Sequence, residues 1–194
     1  MLQIANNLVK NYIYKMKDNP YIEKIKDHKY INQDISALQE YKGRWNEYFG
    51  NKNPLRLEIG TGLGNFFSWE VSKFEDRNFI GMEIKFKRCY VTAEKTIQKW
   101  GQNFLIIREF AQQINRFIWD NELEQTYIFF PDPWPKARHH RRRMVQPGFL
   151  SEVAGRTDRG GEFCFRSDDR PYYDWTVECL NEHAEWQVDE YAPW

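Results

Sequence analysis

Short apolar segments alternate with amphipathic segments from Leu55 onward, and this rhythm limits the possible folds more than any other property of the sequence. The apolar segments predict strands over 55–59, 78–83, 104–107, 126–130 and 161–166, with a further candidate at 185–191. The stretches between them predict helices over 65–75, 86–100, 111–119, 147–155 and 171–183. Alternation at this spacing predicts an α/β fold, with a doubly wound, mostly parallel sheet and helices on both faces.

The order of the strands decides which loops meet. In a doubly wound sheet ordered 3-2-1-4-5, the first and fourth predicted strands are neighbours. Ligands bind to such sheets where the winding reverses, at the carboxyl ends of the strands. The loop at 60–64 follows the first strand, and the loop at 131–146 follows the fourth. We therefore expect these two loops to flank one crevice.

Length and composition fit one domain with an appendage. The chain has 194 residues, of which 41% are hydrophobic and 29% charged, and this composition excludes a disordered protein. Residues 1–53 predict a partly helical arm that ends in a turn at 50–54. No stretch has the apolar length of a membrane span, and the start lacks a secretory signal. Three widely spaced cysteines disfavour a disulfide framework and a metal site, so we expect a cytoplasmic protein.

Positive charge is concentrated in one short stretch. The chain has 28 basic and 28 acidic residues, but residues 136–143 hold five basic and no acidic ones. Residues 144–194, in contrast, hold four basic and eleven acidic ones. A basic cluster within an acidic remainder indicates a local contact with an anion. The alternative for a run of this length is a solvated charged turn.

The loop after the first strand has the composition of a ligand-binding turn. Gly60, Gly62 and Gly64 permit a tight turn and a close approach of the backbone to a ligand. A dinucleotide fingerprint needs its third glycine one residue later, where this chain has Asn65. Glu58, just before the loop, would repel a pyrophosphate but attract a ligand with an amino group and a sulfonium. This pattern favours S-adenosylmethionine over NAD and disfavours a dehydrogenase.

A second acid supports a nucleoside ligand. Glu83 ends the second predicted strand, where a carboxylate can accept hydrogen bonds from both ribose hydroxyls. Acids at this place occur in nucleoside sites of several kinds, so Glu83 does not identify the cofactor. The alternative is a structural turn with two surface acids.

The loop after the fourth strand is the most informative stretch. Pro131, Pro133 and Pro135 alternate, and they prevent both a continued strand and a new helix. A stiff loop can hold Asp132 and Trp134 in place with little loss of entropy on binding. The basic run behind it matches contacts to nucleic-acid phosphates. The indole of Trp134 either stacks on an unpaired base or fills a gap between the prolines.

This loop resembles a family signature. The stretch P-D-P-W-P-K-x-R-H-x-x-R-R over 131–143 is similar to that of the bacterial tRNA (guanine-N7)-methyltransferases. The resemblance covers residue 40 to the end and includes the segments 41–45, 57–62, 78–84 and 165–168. It implies a Rossmann-like class I methyltransferase domain over 54–194, S-adenosylmethionine as cofactor, and methylation of guanine 46 in the variable loop of tRNA, a tRNA modification that yields 7-methylguanosine.

Site residues follow from the resemblance position by position. Asp132 resembles the catalytic acid that also contacts the cofactor, and Lys136 and Asp168 resemble substrate contacts. The further candidates for the cofactor are Glu58, Gly60, Gly62, Gly64, Glu83 and Phe110. The further candidates for RNA phosphates are Arg138, Arg141, Arg142 and Arg143.

Three departures from the family pattern accompany this likeness. Phe110 stands where the family has an acid or amide facing adenine, and Leu63 replaces a lysine in the glycine loop. A phenylalanine can pack on the adenine ring but cannot accept its amino hydrogen bond. The family pattern also continues past Trp194 into a last strand. The chain is therefore either truncated there or folds without that strand.

The residues leave some roles open. Guanine N7 carries a lone pair and no proton, so the reaction needs alignment more than a base. Asp132 either stabilises the developing positive charge or binds the N1 and N2 hydrogens of guanine. Two rival functions are an RNA-binding fragment or weakened homologue that needs a partner or a missing C-terminus for turnover, and a methyltransferase of another substrate. A monomer and a homodimer are both compatible with the sequence.

Overall fold

A computed structural model describes residues 19–189, and its centre is a six-stranded sheet in which every pairing is parallel. The order of strands across the sheet is β1-β4-β3-β2-β5-β6. The strands are β1 (Ile31–Asn32), β2 (Leu55–Ile59), β3 (Asn78–Met82), β4 (Phe104–Ile107), β5 (Leu123–Phe129) and β6 (Thr157–Arg166). Apart from β1, this arrangement confirms the predicted order 3-2-1-4-5.

Helices precede the sheet and connect its strands. They are α1 (Tyr21–Lys26), α2 (Ile35–Leu38), α3 (Trp45–Phe49), α4 (Asn65–Lys73), α5 (Phe86–Gln98), α6 (Pro147–Arg156) and α7 (Arg170–Asn181). Three 3₁₀ helices, η1 (Gln39–Tyr41), η2 (Ala111–Arg116) and η3 (Ala137–Arg142), lie in the arm and in the loops after β4 and β5. None of the helices in this part of the chain is long and apolar enough to cross a membrane.

Each face of the sheet has its own hydrophobic core. On one face, α6, α7, η2 and the arm cover Leu57, Ile80 and Ile128. On the other face, α1, α4 and α5 cover Phe79 and Ile106. Because both faces are buried, β3 and β4 consist of buried residues throughout. The apolar runs that identified these strands in the sequence are the direct consequence of this two-sided burial.

The arm contributes an edge strand that the sequence did not reveal. Ile31 pairs with Ile106, and Asn32 pairs with Ile107. The backbone of Tyr30 accepts a hydrogen bond from Ile106 at 2.8 Å, and its ring stacks on Phe104 with centroids 4.5 Å apart. A strand of two residues has no detectable alternation, so only the tertiary structure specifies it.

Several predicted elements differ in the structure. The segment after β4 forms 3₁₀ helix η2 over Ala111–Arg116 instead of a longer α-helix over 111–119. The predicted strand at 185–191 is wrong for residues 185–189, which form a turn and irregular backbone, and its last two residues lie outside the described part. Strand β5 also begins three residues earlier than expected, at Leu123.

Candidate active site

The register of the sheet brings the ends of four strands together. Ile59 pairs with Met82, which pairs with Ile107, so β2, β3 and β4 end at one level. On the other side of β2, Glu58 pairs with Tyr127 of β5. The loops at 60–64 and 131–146 therefore leave the same edge of the sheet from neighbouring strands. This geometry confirms that the two loops are neighbours at one edge of the sheet, and the crevice between them stays a prediction.

The glycine loop is shaped by its backbone. Gly60, Gly62 and Gly64 all have positive φ, at 82°, 56° and 70°. A Cβ atom on Gly64 would lie 2.7 Å from the side chain of Thr92 on α5, so a side chain has no space there. The Thr92 hydroxyl also donates to the carbonyl of Gly62 at 3.3 Å. Sequence reasoning missed Thr92, because a threonine inside a helix gives no signal of a role in a loop.

Glu83 holds the glycine loop against the end of β3. Its buried carboxylate accepts the Gly62 N–H at 3.2 Å and the N–H groups of Ile84 and Lys85, both at 2.9 Å. Arg88 lies 3.7 Å from the same carboxylate. Three backbone donors fix the orientation of Glu83, and Oε2, which accepts one of them, can accept a further hydrogen bond. This placement is compatible with the predicted contact to ribose hydroxyls.

Glu58 is buried without a complete set of partners. Its side chain lies at the carboxyl end of β2, and within residues 19–189 its Oε2 atom has no hydrogen-bond partner. Burial raises the pKa of Glu58 to about 8, with further contributions from the nearby carboxylates of Glu70 and Glu83. A buried acceptor of this kind is costly unless a ligand completes it. Glu58 and the glycine cradle therefore fit a ligand that carries amino hydrogens and positive charge.

Phe110 borders the crevice beside β4. Its side chain is 57% exposed, and its backbone N–H donates to the Glu109 carboxylate at 2.7 Å. The carbonyl of Phe110 accepts the N–H of Gln113 in the first turn of η2. An exposed phenyl ring at this edge can cover an aromatic ligand by stacking.

The proline loop is held in an unusual conformation by residues other than glycine. Phe130 and Trp134 have φ values of 52° and 47°, and they flank Pro131, Asp132 and Pro133. Each such residue costs about 1–3 kcal/mol, and conformations of this kind persist where the surrounding structure enforces them. The strained segment includes Asp132, whose side chain is exposed.

Arg143 supports this loop from the interior of the protein. Its burial corrects the prediction that it contacts RNA phosphate. The residue is only 3% exposed, and its Nε donates to the carbonyl of Pro133 at 2.9 Å. Its guanidinium also lies 4.6 Å from the ring centroid of Tyr172 and 5.2 Å from that of Trp175. A guanidinium enclosed in this way is not available to RNA, so Arg143 stabilises the loop.

The other basic residues of the run face outward. Lys136, Arg138, Arg141 and Arg142 are exposed in and before η3. Trp134 is half-buried, with the Arg142 guanidinium 5.0 Å from its ring centroid and the His139 ring edge-on at 5.8 Å. These contacts favour packing over base stacking for Trp134.

Asp168 lies in the loop that follows β6. Its side chain is exposed, whereas the neighbouring Asp169 caps α7 by accepting the Tyr172 N–H at 2.8 Å. The backbone of Phe130 donates to the carbonyl of Arg166 at 2.8 Å, which joins the two loops after β5 and β6. Asp132 and Asp168 thus leave the same edge from adjacent strands.

Comparisons with known proteins agree with this geometry. Residues 52–193 match a family described as "Putative methyltransferase". A tRNA (guanine-N(7)-)-methyltransferase of Bacillus velezensis is 38% identical over 154 residues, which cover 77% of this chain and 69% of the relative. The enzyme of the same name from Bacillus subtilis (strain 168) is 35% identical over 151 residues, 77% of this chain and 70% of the relative.

Solved structures support the same fold. The crystal structure of a precorrin-6y C5,15-methyltransferase from Geobacter metallireducens GS-15 superposes with a TM-score of 0.55. It covers 77% of this chain and 69% of its own, at 10% sequence identity. At this level of identity the likeness concerns the fold alone.

Proposed function

The chain belongs to the tRNA (guanine-N7)-methyltransferases, and from this membership we propose that it transfers the methyl group of S-adenosylmethionine to N7 of guanine 46 in the variable loop of tRNA. The observation that carries the proposal is the convergence of two loops on one edge of the sheet. One is a glycine loop lined by Glu58 and Glu83, and the other presents Asp132 among exposed cations.

The proposed cofactor site uses the loops after β2, β3 and β4. The incomplete carboxylate of Glu58 would accept hydrogen bonds from the amino group of the methionine moiety. Glu83 would accept those of the ribose hydroxyls, while Gly60, Gly62 and Gly64 let the backbone approach the ligand. Phe110 would cover the adenine ring. When bound, S-adenosylmethionine supplies an electrophilic methyl carbon on a positively charged sulfur.

The proposed reaction requires no proton transfer. Guanine N7 would take the methyl group with its lone pair while the bond between carbon and sulfur breaks, which would leave S-adenosylhomocysteine and a positive charge on the purine. A carboxylate held by a stiff loop stabilises this charge without reorganising during the reaction. Asp132 meets this requirement, because Pro131 and Pro133 flank it and Arg143 fixes the loop. Alignment of the two reactants supplies the remainder of the acceleration.

The exposed basic side chains would bind the tRNA backbone. Lys136, Arg138, Arg141 and Arg142 are exposed in and before η3, which follows β5, and Asp168 would add a polar contact from the loop after β6. Phosphate contacts of this kind orient a nucleic acid without reading its sequence. We place the enzyme in the cytoplasm, where this substrate is found.

Replacement of Asp132 tests the proposal. Asp132→Asn keeps the size of the side chain and removes its charge, so we expect methyl transfer to unmodified tRNA to fall by about 10²- to 10³-fold. Asp174→Asn is the matched control, because Asp174 is an acid on α7 whose partner is Arg170. Transfer of labelled methyl groups to tRNA, and to pools of protein and small molecules, is the measurement.

The possible outcomes separate the rival functions. Near-normal turnover by Asp132→Asn would remove its catalytic role. Methylation of a protein or small molecule in place of tRNA would identify another substrate. Cofactor binding by the unmodified chain without any turnover would identify a binding module.

A further inference from the structure

The arm segment at 41–45 has no role in the site described above, although it packs close to it. Its residues contact the segment 111–119, which contains η2 and begins directly after Phe110. We infer that Lys42 and Trp45 are positioning residues that hold η2, and through it Phe110, at the adenine side of the cofactor site. This inference rests on the proposed function.

The segment after β4 needs support from outside. Runs of 3₁₀ helix longer than three or four residues are uncommon, because their hydrogen bonds are poorly aligned. The last carbonyl groups of any helix also lack partners within the helix. At six residues, η2 is long for its type, and the carbonyls of Asn115, in its last turn, and of Phe117, its C-cap, are two such groups.

Two arm side chains supply the missing partners. Lys42 donates from Nζ to the carbonyl of Asn115 at 2.6 Å, and Trp45 donates from Nε1 to the carbonyl of Phe117 at 2.9 Å. Trp45 is 2% exposed and meets the Phe117 ring edge-on. The Lys42 ammonium also lies 4.8 Å from the ring centroid of Trp119. Lys42 and Trp45 of the arm therefore both bind the segment that contains η2.

Glu122, directly before β5, adds a further contact between the arm and this segment. Its carboxylate accepts the backbone N–H of Trp119 at 2.7 Å and lies near the backbone N–H groups of Gly43 and Trp45. Gly43 has φ at 78°, and a Cβ atom there would contact the Trp119 side chain at 3.6 Å. One carboxylate thus joins the arm to the end of the segment that follows η2.

The opposite end of η2 reaches the candidate site. Gln113 donates its N–H to the carbonyl of Phe110 at 3.0 Å, so Phe110 is part of the first turn. With a rise of about 2 Å per residue, six residues separate this end from the arm contacts by only about 12 Å. Loosening the carboxyl end of such a short helix frees its first turn, and the Phe110 ring with it.

The test compares cofactor affinity in variants that loosen η2. Trp45→Phe keeps the ring packing and removes the N–H donor, and Lys42→Met removes the ammonium. We expect the Kd for S-adenosylhomocysteine, measured by calorimetry, and the KM for S-adenosylmethionine to rise about three- to tenfold in each, as the loss of one hydrogen bond allows. We expect kcat at saturating cofactor and the KM for tRNA to stay unchanged.

Two further variants make the test specific. Arg44→Ala lies in the same motif, but within residues 19–189 the hydrogen bonds of the Arg44 side chain go to Glu40 and Glu47 of the arm, so cofactor affinity should not change. Lys42→Arg restores a cationic donor and should recover most of the affinity. If Trp45→Phe does not fold, Lys42→Met with its rescue decides the question.

The outcomes distinguish this inference from the proposed function. A lower Tm in Trp45→Phe and Lys42→Met with unchanged cofactor affinity would overturn the inference, because Lys42 and Trp45 would then only stabilise the fold. A rise in the KM for tRNA alone would overturn it as well. An unmodified chain that binds no S-adenosylhomocysteine would contradict the proposed function before any variant is compared.

Discussion

The glycine loop and the proline loop meet at one edge of the sheet, yet they are built in opposite ways. The glycine loop reaches positive φ at Gly60, Gly62 and Gly64, where the conformation is inexpensive. The proline loop reaches it at Phe130 and Trp134, where the conformation is strained. The first is supported by the buried carboxylate of Glu83, the second by the buried guanidinium of Arg143.

This difference follows from what each loop presents. A turn that offers backbone groups to a small ligand needs no side chains of its own, and glycine has no side chain that would keep the ligand away. A turn that offers side chains to a large ligand needs residues with side chains, and another part of the protein must hold them. Arg143 does so here through the Pro133 carbonyl. The four variants below test each half of this contrast, from the largest expected effect to the smallest.

Gly64→Ala should damage the glycine loop most. The new Cβ atom would lie 2.7–2.8 Å from atoms of Thr92, and the φ of 70° adds strain, so we expect a loss of about 2–5 kcal/mol in unfolding free energy together with weaker cofactor binding. Denaturant unfolding and calorimetry with S-adenosylhomocysteine measure both. Gly155→Ala in α6, where nothing lies within 4 Å, is the control and should not destabilise. Equal stability of the two variants would contradict the steric argument.

Arg143→Met should damage the proline loop. The change leaves the Pro133 carbonyl without its charged donor and removes the contacts with Tyr172 and Trp175, and we expect the protein to lose about 1.5–3 kcal/mol of stability. Methylation of tRNA should fall while cofactor affinity is kept, because the glycine loop is untouched. Arg141→Met, at an exposed position, is the control for lost charge. If denaturant unfolding gives Arg143→Met and Arg141→Met the same stability, Arg143 does not support the loop.

Arg141→Gln combined with Arg142→Gln should weaken tRNA binding through electrostatics alone. We expect the magnitude of the slope of log K against log salt concentration to decrease by about 0.7 to 0.9 for each lost phosphate contact. For both contacts together, the loss of affinity between 50 and 200 mM salt should become about tenfold smaller. Filter binding at several salt concentrations measures the slope. An unchanged slope would mean that these side chains face solvent in the complex.

The pH dependence of the glycine loop should show the charge state of Glu58. Its pKa is raised from 4.5 to about 8, so the folded chain holds a proton that the unfolded chain releases, and unfolding free energy should decrease as pH rises from about 4.5 to about 8. A cationic ligand prefers the ionised carboxylate, so affinity for S-adenosylmethionine should fall about fivefold from pH 8 to pH 7. Glu58→Gln should flatten both profiles. If both pH profiles persist in Glu58→Gln, another titratable group causes them.

Whether an element or a contact could be predicted from the sequence depended on how far apart in the chain its interacting residues lie. Strands β3 and β4 were predictable because burial on both faces gives short apolar runs, as in the residues of β4. The two crevice loops were predictable because their glycines and prolines act locally. The strand at Ile31 and the burial of Arg143 were not, since each depends on partners far away in the chain. The hydrogen bonds from Lys42 and Trp45 to the end of this segment likewise join residues 73 and 72 positions apart.

The two-residue strand β1 has a consequence for the order of assembly. It pairs with β4, which is synthesised much later, so closure of this contact spans a long stretch of chain. Contacts of such long range form late in folding, because loop-closure entropy must be overcome first. Until the arm arrives, β4 offers an open edge to which another chain can add. A version of the protein that starts after β1 should therefore aggregate more readily during expression, even though most of its sheet is intact.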